Sequence, residues 1–339
     1  MFSQGSASSL ALDVRLAVRG LLRHPTYVLS SVLMLAFGIG AVVAMFSIVY
    51  SVLLKPLPYP DPEGLVRIRH NAVARGTELF AASTMYLTYR EENRSFADLG
   101  LWQQASQNLT GTDRPEQLRV ALVTEGTLQA LGVQPERGRW FTAEEHEPGA
   151  VDAEPVILSH RFWQRRFEAQ EPLALEFELD STRVRVVGVM PPEFRFLDME
   201  PQPEVIRALR LDPARLVIGA FSSQALGRLK PGVAPAEAAA DLERVLPVWL
   251  AAWPFAPGSA LSREDIEGWR VTAQVGPLKA DLTKSIATTL WLFTGLIGFV
   301  LLISCANATN LMLLRAAARR QEFSIRTALG AARQRIARF

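Results

Sequence analysis

The residues best equipped for catalysis or metal binding are few and poorly spaced for either task. Four histidines (His24, His70, His146, His160) and one cysteine, Cys305, are the whole complement. The histidines show no metal-ligand spacing and no HExxH string occurs, so structural or surface roles are expected of them. A phosphate-cradling GxxxxGK[ST] loop is absent, as are a GxSxG elbow, a Ser-His-Asp arrangement and a recognisable pair of carboxylates. Gly38-Ile-Gly40 lies inside an apolar stretch, where glycine serves packing rather than phosphate binding. Gly138-Arg-Trp-Phe and the acidic run Glu144-Glu145-His146-Glu147 read as a solvated loop between elements. The residues argue against an enzyme, and no metal or cofactor is expected. What the chain does must follow from its layout.

Two uncharged stretches, Pro25–Leu54 and Ser285–Leu314, dominate that layout. Each runs 30 residues without Lys, Arg, Asp, Glu or His, and about 20 apolar residues suffice to cross the hydrocarbon core. Both are therefore expected to be transmembrane helices, residues 25–54 and 285–314. The first is roughly twice as long as the 7–15 residues of a signal-peptide core, and Pro56, Pro58, Pro60 and Pro62 follow where a small-residue cleavage site would stand. It reads as a span.

Charge orients the pair. Arg15, Arg19 and Arg23 precede the first span, and seven arginines from Arg315 to Arg338 follow the second against Glu322 alone. Basic flanks stay on the cytoplasmic side, so both termini are expected there and residues 55–284 outside. Between the flanks and Lys55 on one side and the tail on the other lie 25 basic and 32 acidic residues, a net of −7. The overall +2 is thus no argument for nucleic-acid binding. With Cys305 inside the second span, the outer block has no disulfide and must hold itself by core packing.

Residues 1–24 contain an amphipathic pattern. Leu10, Val14, Ala17 and Leu21 share one face and Arg15, Arg19 and Arg23 another, which suits an anionic membrane surface. Within the first span Ala36, Gly40 and Ala44 form a small-xxx-small row that permits close helix approach. Asn307 and Asn310 near the inner end of the second span are placed to hydrogen-bond neighbouring helices. Prolines at alternate positions from Pro56 to Pro62 make a stiff, extended lead-out.

Across residues 55–284, Leu65–Arg69 alternates as a strand, and Met85–Trp102 reads as a helix with Leu87, Phe96 and Leu99 inward. Gln117–Val123 is a strand followed by a short helix Thr127–Leu131. Val156–Leu158 is a strand, with Ser159 capping a helix through Phe167. Glu176–Leu179 and Arg183–Val189 flank Asp180-Ser181 as a hairpin. Ala225–Leu229 is a strand. Pro235 opens a helix Ala236–Leu246 that Pro247 ends, and Arg270–Val275 is a last strand feeding the second span. Without a strict βαβ rhythm, this mixture points to an α+β domain or split α/β sandwich, a mixed sheet with helices and room for two subdomains, rather than a doubly wound sheet.

Several strings, in order, carry a family pattern. They begin with Arg19-Gly-Leu-Leu-Arg-His-Pro, Leu35-Ala-Phe-Gly-Ile-Gly-Ala and Leu54-Lys-Pro-Leu-Pro-Tyr-Pro-Asp-Pro-Glu. Leu131-Gly-Val-Gln-Pro-Glu-Arg-Gly-Arg, Leu158-Ser-His-Arg-Phe-Trp-Gln-Arg-Arg-Phe, Val186-Val-Gly-Val-Met-Pro-Pro and Gly227-Arg-Leu-Lys-Pro-Gly-Val follow. The last are Leu302-Ile-Ser-Cys-Ala-Asn-Ala-Thr-Asn-Leu and Arg319-Arg-Gln-Glu-Phe-Ser-Ile-Arg-Thr-Ala-Leu-Gly-Ala. Together the chain resembles a MacB/FtsX-type ABC transporter permease, nearest to the long duplicated bacterial kind, with a MacB-like periplasmic core domain. It departs where Gln170–Thr182 lacks the family's usual glycines and where Ile206 replaces a frequent Trp. Such permeases continue through further spans, so the chain is expected to be C-terminally truncated.

The resemblance implies a bacterial inner-membrane permease subunit working in transport or efflux with a separate cytoplasmic ABC ATPase. A second permease copy or half and a periplasmic partner are also implied. Residues 315–339 would then begin the FtsX-like permease domain, with Glu322, Ile325, Arg326, Leu329 and Gly330 in the element that docks on the ATPase. The spans show no polar path, which favours transmission of motion over pumping a solute through the bilayer. The alternative is a membrane-anchored scaffold or sensor without ATP-driven motion.

Overall fold

The computed structural model describes residues 25–111, 115–149, 152–168, 170–259 and 261–318. Contacts divide the chain into two units, one of residues Pro56–Thr283 and one of the residues up to Lys55 together with those from Lys284 onward. The Pro56–Thr283 unit is an α+β domain built on one mixed sheet that is 12-stranded among the described residues.

Its main path is formed by nine strands. In spatial order these are β12 (Val271–Pro277), β1 (Leu65–Ala72), β11 (Phe221–Leu229), β4 (Phe96–Thr110), β5 (Glu116–Val123), β10 (Val205–Ala208), β7 (Glu154–Leu158), β9 (Thr182–Val189) and β6 (Arg137–Gly138). Short β2 (Thr77–Leu79) and β3 (Ala81–Ala82) add to β1 and β11, and β8 (Glu176–Leu179) bridges β4 and β9. The β5–β10 and β7–β9 pairs are parallel and the others antiparallel. Turn chemistry sets the hairpins. Asp180 and Ser181 both have positive φ, 47° and 63°, the conformation of a two-residue type I′ turn. The Asp180 carboxylate stands in for the missing glycine by accepting hydrogen bonds from the Asn108 amide and side chain, both at 3.0 Å.

Three apolar clusters fill the domain. One lies under α2 (Ser83–Glu92), α6 (Pro235–Ala252) and α7 (Arg263–Trp269), a middle one around Trp102, Ile157 and Phe196, and a third under α5 (His160–Phe167). Short helices α3 (Thr127–Leu131) and α4 (Ala143–His146) close the loops after β5 and β6. The sheet is continuous through all three clusters, the mixed sheet with helices that the sequence pattern leads one to expect.

The expected helix Met85–Trp102 is corrected: it ends at Glu92, and Phe96 begins a 15-residue strand. Asn93 breaks it, its side chain donating to Tyr89 O at 2.7 Å and accepting from Phe96 N at 3.1 Å. Leu99 and Leu101 then pair with β11. Gly100 lets the strand press against α3, since a Cβ there would lie 2.2 Å from Thr127 Oγ1. Leu87 is half-buried, and Phe96 and Leu99 are buried, but from two different elements. Pro247 also does not end its helix: α6 runs through it to Ala252. Proline removes one hydrogen bond, and tertiary anchors outweigh that loss. Trp249 is buried and donates to Thr84 Oγ1, and Trp253 to Thr88 Oγ1, both at 2.9 Å.

The other unit contains α1 (Pro25–Val49), which widens into a π-type turn over Tyr50–Leu54, and most of α8 (Leu278–Ala318). Two stretches within them are long and apolar enough to cross a membrane, Val32–Leu54 at mean hydropathy 2.6 and Leu278–Asn310 at 2.2. They meet along Met45, Val49 and Leu290, flanked by Val52, Leu53 and Ile297. Gly38 faces Leu301 and Ser304, where a Cβ would come 3.1 Å from Leu301 Cδ1. Ala36, Gly40 and Ala44 are exposed instead. The small row therefore does not form the contact between these two helices; Gly38 supplies the close approach. Phe37, Phe46, Leu292 and Phe299 are likewise exposed, a surface that suits lipid.

Candidate functional site

The most constrained polar cluster of the outer domain sits where β1 and α8 meet. Strand β1 is buried on both faces, with Val66 and Ile68 in the first cluster and Leu65 in the middle one. Arg67 takes a core-facing position on the middle side and is only 4 % exposed. Burying a guanidinium requires partners. Its Nε lies 3.2 Å from Asp281 Oδ2 and its Nη2 3.5 Å from Asp198 Oδ2. Nη2 also donates to Gln224 Oε1, and the guanidinium stacks 5.5 Å over the Trp102 ring. Burial lowers the Arg67 pKa, and Asp198 and Asp281 counter that shift.

Two residues along, Arg69 forks onto the same carboxylate, Nε to Asp281 Oδ1 at 2.6 Å and Nη2 to Oδ2 at 2.9 Å, and pairs with Glu78 through Nη1. Asp281 is thus held between two arginines of one strand. It occupies the first turn of α8, where a carboxylate also complements the helix dipole. Strand β12 ends at Pro277 and α8 starts at Leu278 with no loop between. Leu278 is buried and Leu282 packs beside it in the middle cluster. The first turn of α8, which belongs to the Pro56–Thr283 unit, is therefore clamped by β1.

The proline-rich lead-out is anchored nearby. Tyr59 is buried; its hydroxyl donates to Arg195 O at 2.8 Å and accepts from Leu197 N at 3.0 Å. Burial pushes the Tyr59 phenol up to about 12, partly offset by the Leu197 amide, so it stays a neutral donor and acceptor. The segment from Pro191 to Pro203 thereby touches both roots, Tyr59 through its backbone and Arg67 through Asp198.

A second carboxylate clamp lies elsewhere in the domain. Glu145 accepts two bonds from Arg139, at 2.8 and 2.9 Å, one from Arg185 at 3.1 Å, and one from Thr142 N at 2.9 Å. Burial pushes its carboxyl up, but the Arg139 and Thr142 hydrogen bonds outweigh that and hold it below the usual range. The expected solvated loop is corrected accordingly: Gly138 pairs with β9, and Glu145 is buried as the cap of α4.

Of the residues singled out in the sequence, Glu322, Ile325, Arg326, Leu329 and Gly330 lie outside the described residues, as do residues 10–23. Asn307 and Asn310 are exposed and make no side-chain hydrogen bond to another described residue. Among the described residues no group of three or more His, Cys, Asp or Glu could hold a metal ion. Sequence reading missed Arg67, Arg69 and Asp281. The available signal was a pair of arginines two residues apart, and so on one face of a strand, set among Leu65, Val66 and Ile68, and an acid in the first turn of an apolar helix.

The architecture is a mixed-sheet outer domain joined to two apolar helices. The chain belongs to the ABC-transporter permeases with a MacB-like periplasmic core domain, the family description that matches residues 29–245. Similar solved structures include the periplasmic region of MacB from Actinobacillus actinomycetemcomitans. It is 10 % identical, covers 66 % of this chain and 92 % of that one, and has a TM-score of 0.45. The extracellular domain of the noncanonic ABC-type transporter YknZ from Gram-positive bacteria is 11 % identical, covers 54 % and 93 %, and has a TM-score of 0.39. No curated protein sequence matches the chain.

Proposed function

We propose that this chain is the permease subunit that couples a separate cytoplasmic ATPase to conformational change of its periplasmic domain, in efflux or in transmission of force. The single observation that supports this most is the loop-free joint of β12 to α8, clamped at Asp281 by Arg67 and Arg69. A flexible linker would absorb a displacement of the helix; a helix whose first turn is salt-bridged to the sheet transfers it. Both termini lie in the cytoplasm and residues 55–284 in the periplasm, in keeping with the arginine-rich flanks. Residues 322–330 dock on the ATPase, with Glu322 and Arg326 one turn apart as its polar contact. A second permease copy completes the assembly, and the outer domain acts on a periplasmic partner or on an amphiphile.

The test is co-purification from detergent-solubilised membranes of the native host. An ABC ATPase is expected with the wild-type chain and is lost with Glu322→Lys/Arg326→Glu. If no ATPase accompanies either form, the chain is an anchored scaffold or sensor and the coupling reading fails.

A further inference from the structure

A cavity of about 560 Å³ opens between the first turn of α5 and the segment Pro191–Pro203, within the range of small-molecule sites. Half-buried Phe194 and prolines of that segment give part of its wall an apolar surface, with Phe162, Phe196 and Ile206 buried behind it. Its rim is basic: Arg119, Arg161, Arg165 and Arg195 stand against Glu193 and Glu204.

Acids pair with only part of that rim. Glu204 is taken by Arg165 at 2.8 Å and by the Arg119 amide at 3.1 Å, and Arg165 also reaches Glu116 at 2.7 Å. Arg195 has one long contact, 3.6 Å to Glu200. The guanidinium groups of Arg119 and Arg161 make no ion pair among the described residues. Two of the four lining arginines, Arg119 and Arg161, are thus left without an acid partner among the described residues, in a domain whose net charge is −7. An unpaired guanidinium at a cavity wall attracts an anion.

We propose that this cavity binds an anionic amphiphile, an apolar body lying on Phe194 and the prolines beside it with a carboxylate or phosphate head held by Arg161 and Arg195. Phe194 and the prolines account for the body, and Arg161, with Arg195 held only by the 3.6 Å contact to Glu200, for the head. The position gives occupancy a consequence. Phe196 stands edge-on to Trp102 with ring centroids 5.5 Å apart, and Trp102 lies under Arg67. Tyr59 holds the backbone of Arg195 and Leu197. An occupant that shifts the Pro191–Pro203 segment therefore acts on both roots. The site does not depend on ATPase docking, so either proposal can fail without the other.

The test places the full chain in lipid nanodiscs with photoreactive hexadecanoate, hexadecyl phosphate or hexadecanol, and maps labelled peptides by mass spectrometry. Labelling of the apolar helices serves as the internal control for insertion. At least one anionic probe is expected to label the Pro191–Pro203 peptide about tenfold above the alcohol, the ratio for one or two charge-assisted hydrogen bonds. Labelling by phosphate alone points to a phospholipid head and by carboxylate alone to a fatty acid. Arg161→Glu/Arg195→Glu and the milder Arg161→Gln/Arg195→Gln both reduce that peptide to the alcohol level while helix labelling persists. Equal labelling by the alcohol, labelling confined to the helices, or indifference to both variants overturns the proposal. So does displacement by a soluble acidic peptide but not by octanoate, which would make the cavity a peptide site.

Discussion

Asp281 and Glu145 are each a carboxylate held by two arginines, yet the two clamps differ in what they join. Glu145 binds Arg139, six residues away, and Arg185, whose side chains are 47 % and 49 % exposed. It organises a loop and a four-residue helix. Asp281 binds Arg67 and Arg69 across more than 200 residues of sequence, and Arg67 is almost wholly buried. The two carboxylates are about equally covered, 10 % and 12 % exposed, but water screens both arginines of the first clamp and in the second reaches Arg69, at 32 %, and hardly Arg67, so similar pairings carry unequal consequences. A clamp near the surface trims local geometry. A buried one between distant elements decides whether they move together.

The largest expected effect breaks the buried clamp. Asp281→Ala removes the carboxylate that Arg67 and Arg69 share, leaving buried Arg67 with Asp198 and Gln224 alone, and should cost about 3 kcal/mol, the low end for breaking a buried pair. Thermal unfolding of the full chain in detergent would show it as a drop in Tm of many degrees; a shift within error would mean the joint holds without its ion pairs. Replacing Arg67 and Asp281 together by apolar residues should be milder than either single change, because no buried charge is then left alone.

An intermediate effect comes from the other face of β1. His70 is fully buried against Tyr89, its Nε2 2.9 Å from the hydroxyl, and burial lowers its pKa to about 4. Between pH 6.5 and 4 the unfolded chain takes up a proton that the folded chain refuses, so stability falls as pH drops through that window. The slope is at most about 1.4 kcal/mol per pH unit for one such group. His146 is also held at about 4 by burial and adds to it. His70→Gln should flatten the fall of Tm between pH 7 and pH 5; an unchanged slope would place the sensitivity elsewhere.

The smallest effect belongs to the exposed clamp. Glu145→Gln keeps the shape of the cap and should cost about 1 kcal/mol, each half-exposed ion pair supplying little. Its stabilisation is present above the ordinary carboxylate pKa and is lost as pH falls through the depressed one. A loss matching that of Asp281→Ala, measured by the same unfolding experiment, would erase the distinction between the clamps.

Much of the fold could be read from local pattern. The strands at residues 65–69, 117–123, 156–158 and 225–229 were legible because alternation or a short apolar run bounded by turn residues is a local signal. Ser159 was legible as a cap, accepting from Phe162 N at 3.3 Å, and Asp180-Ser181 as a turn. The errors came where a distant partner overruled the local signal. Phe96–Trp102 has apolar residues compatible with a helix, but β11 lies beside it and makes it a strand. Pro247 is a helix breaker until Trp249 and Trp253 find Thr84 and Thr88. Glu144–Glu147 looks solvated until Arg139 and Arg185 converge on Glu145.

The sequence by itself determined the two apolar helices, the charge asymmetry across them, the mixed-sheet class of the outer domain and the family, because each rests on composition or order along the chain. It took the folded chain to show that Asp281 lies between Arg67 and Arg69, that Tyr59 holds the Pro191–Pro203 segment, and that arginines gather at a cavity beside Phe194. Those are meetings of residues far apart in the chain, and the burial that gives them their strength exists only once the sheet has brought them together.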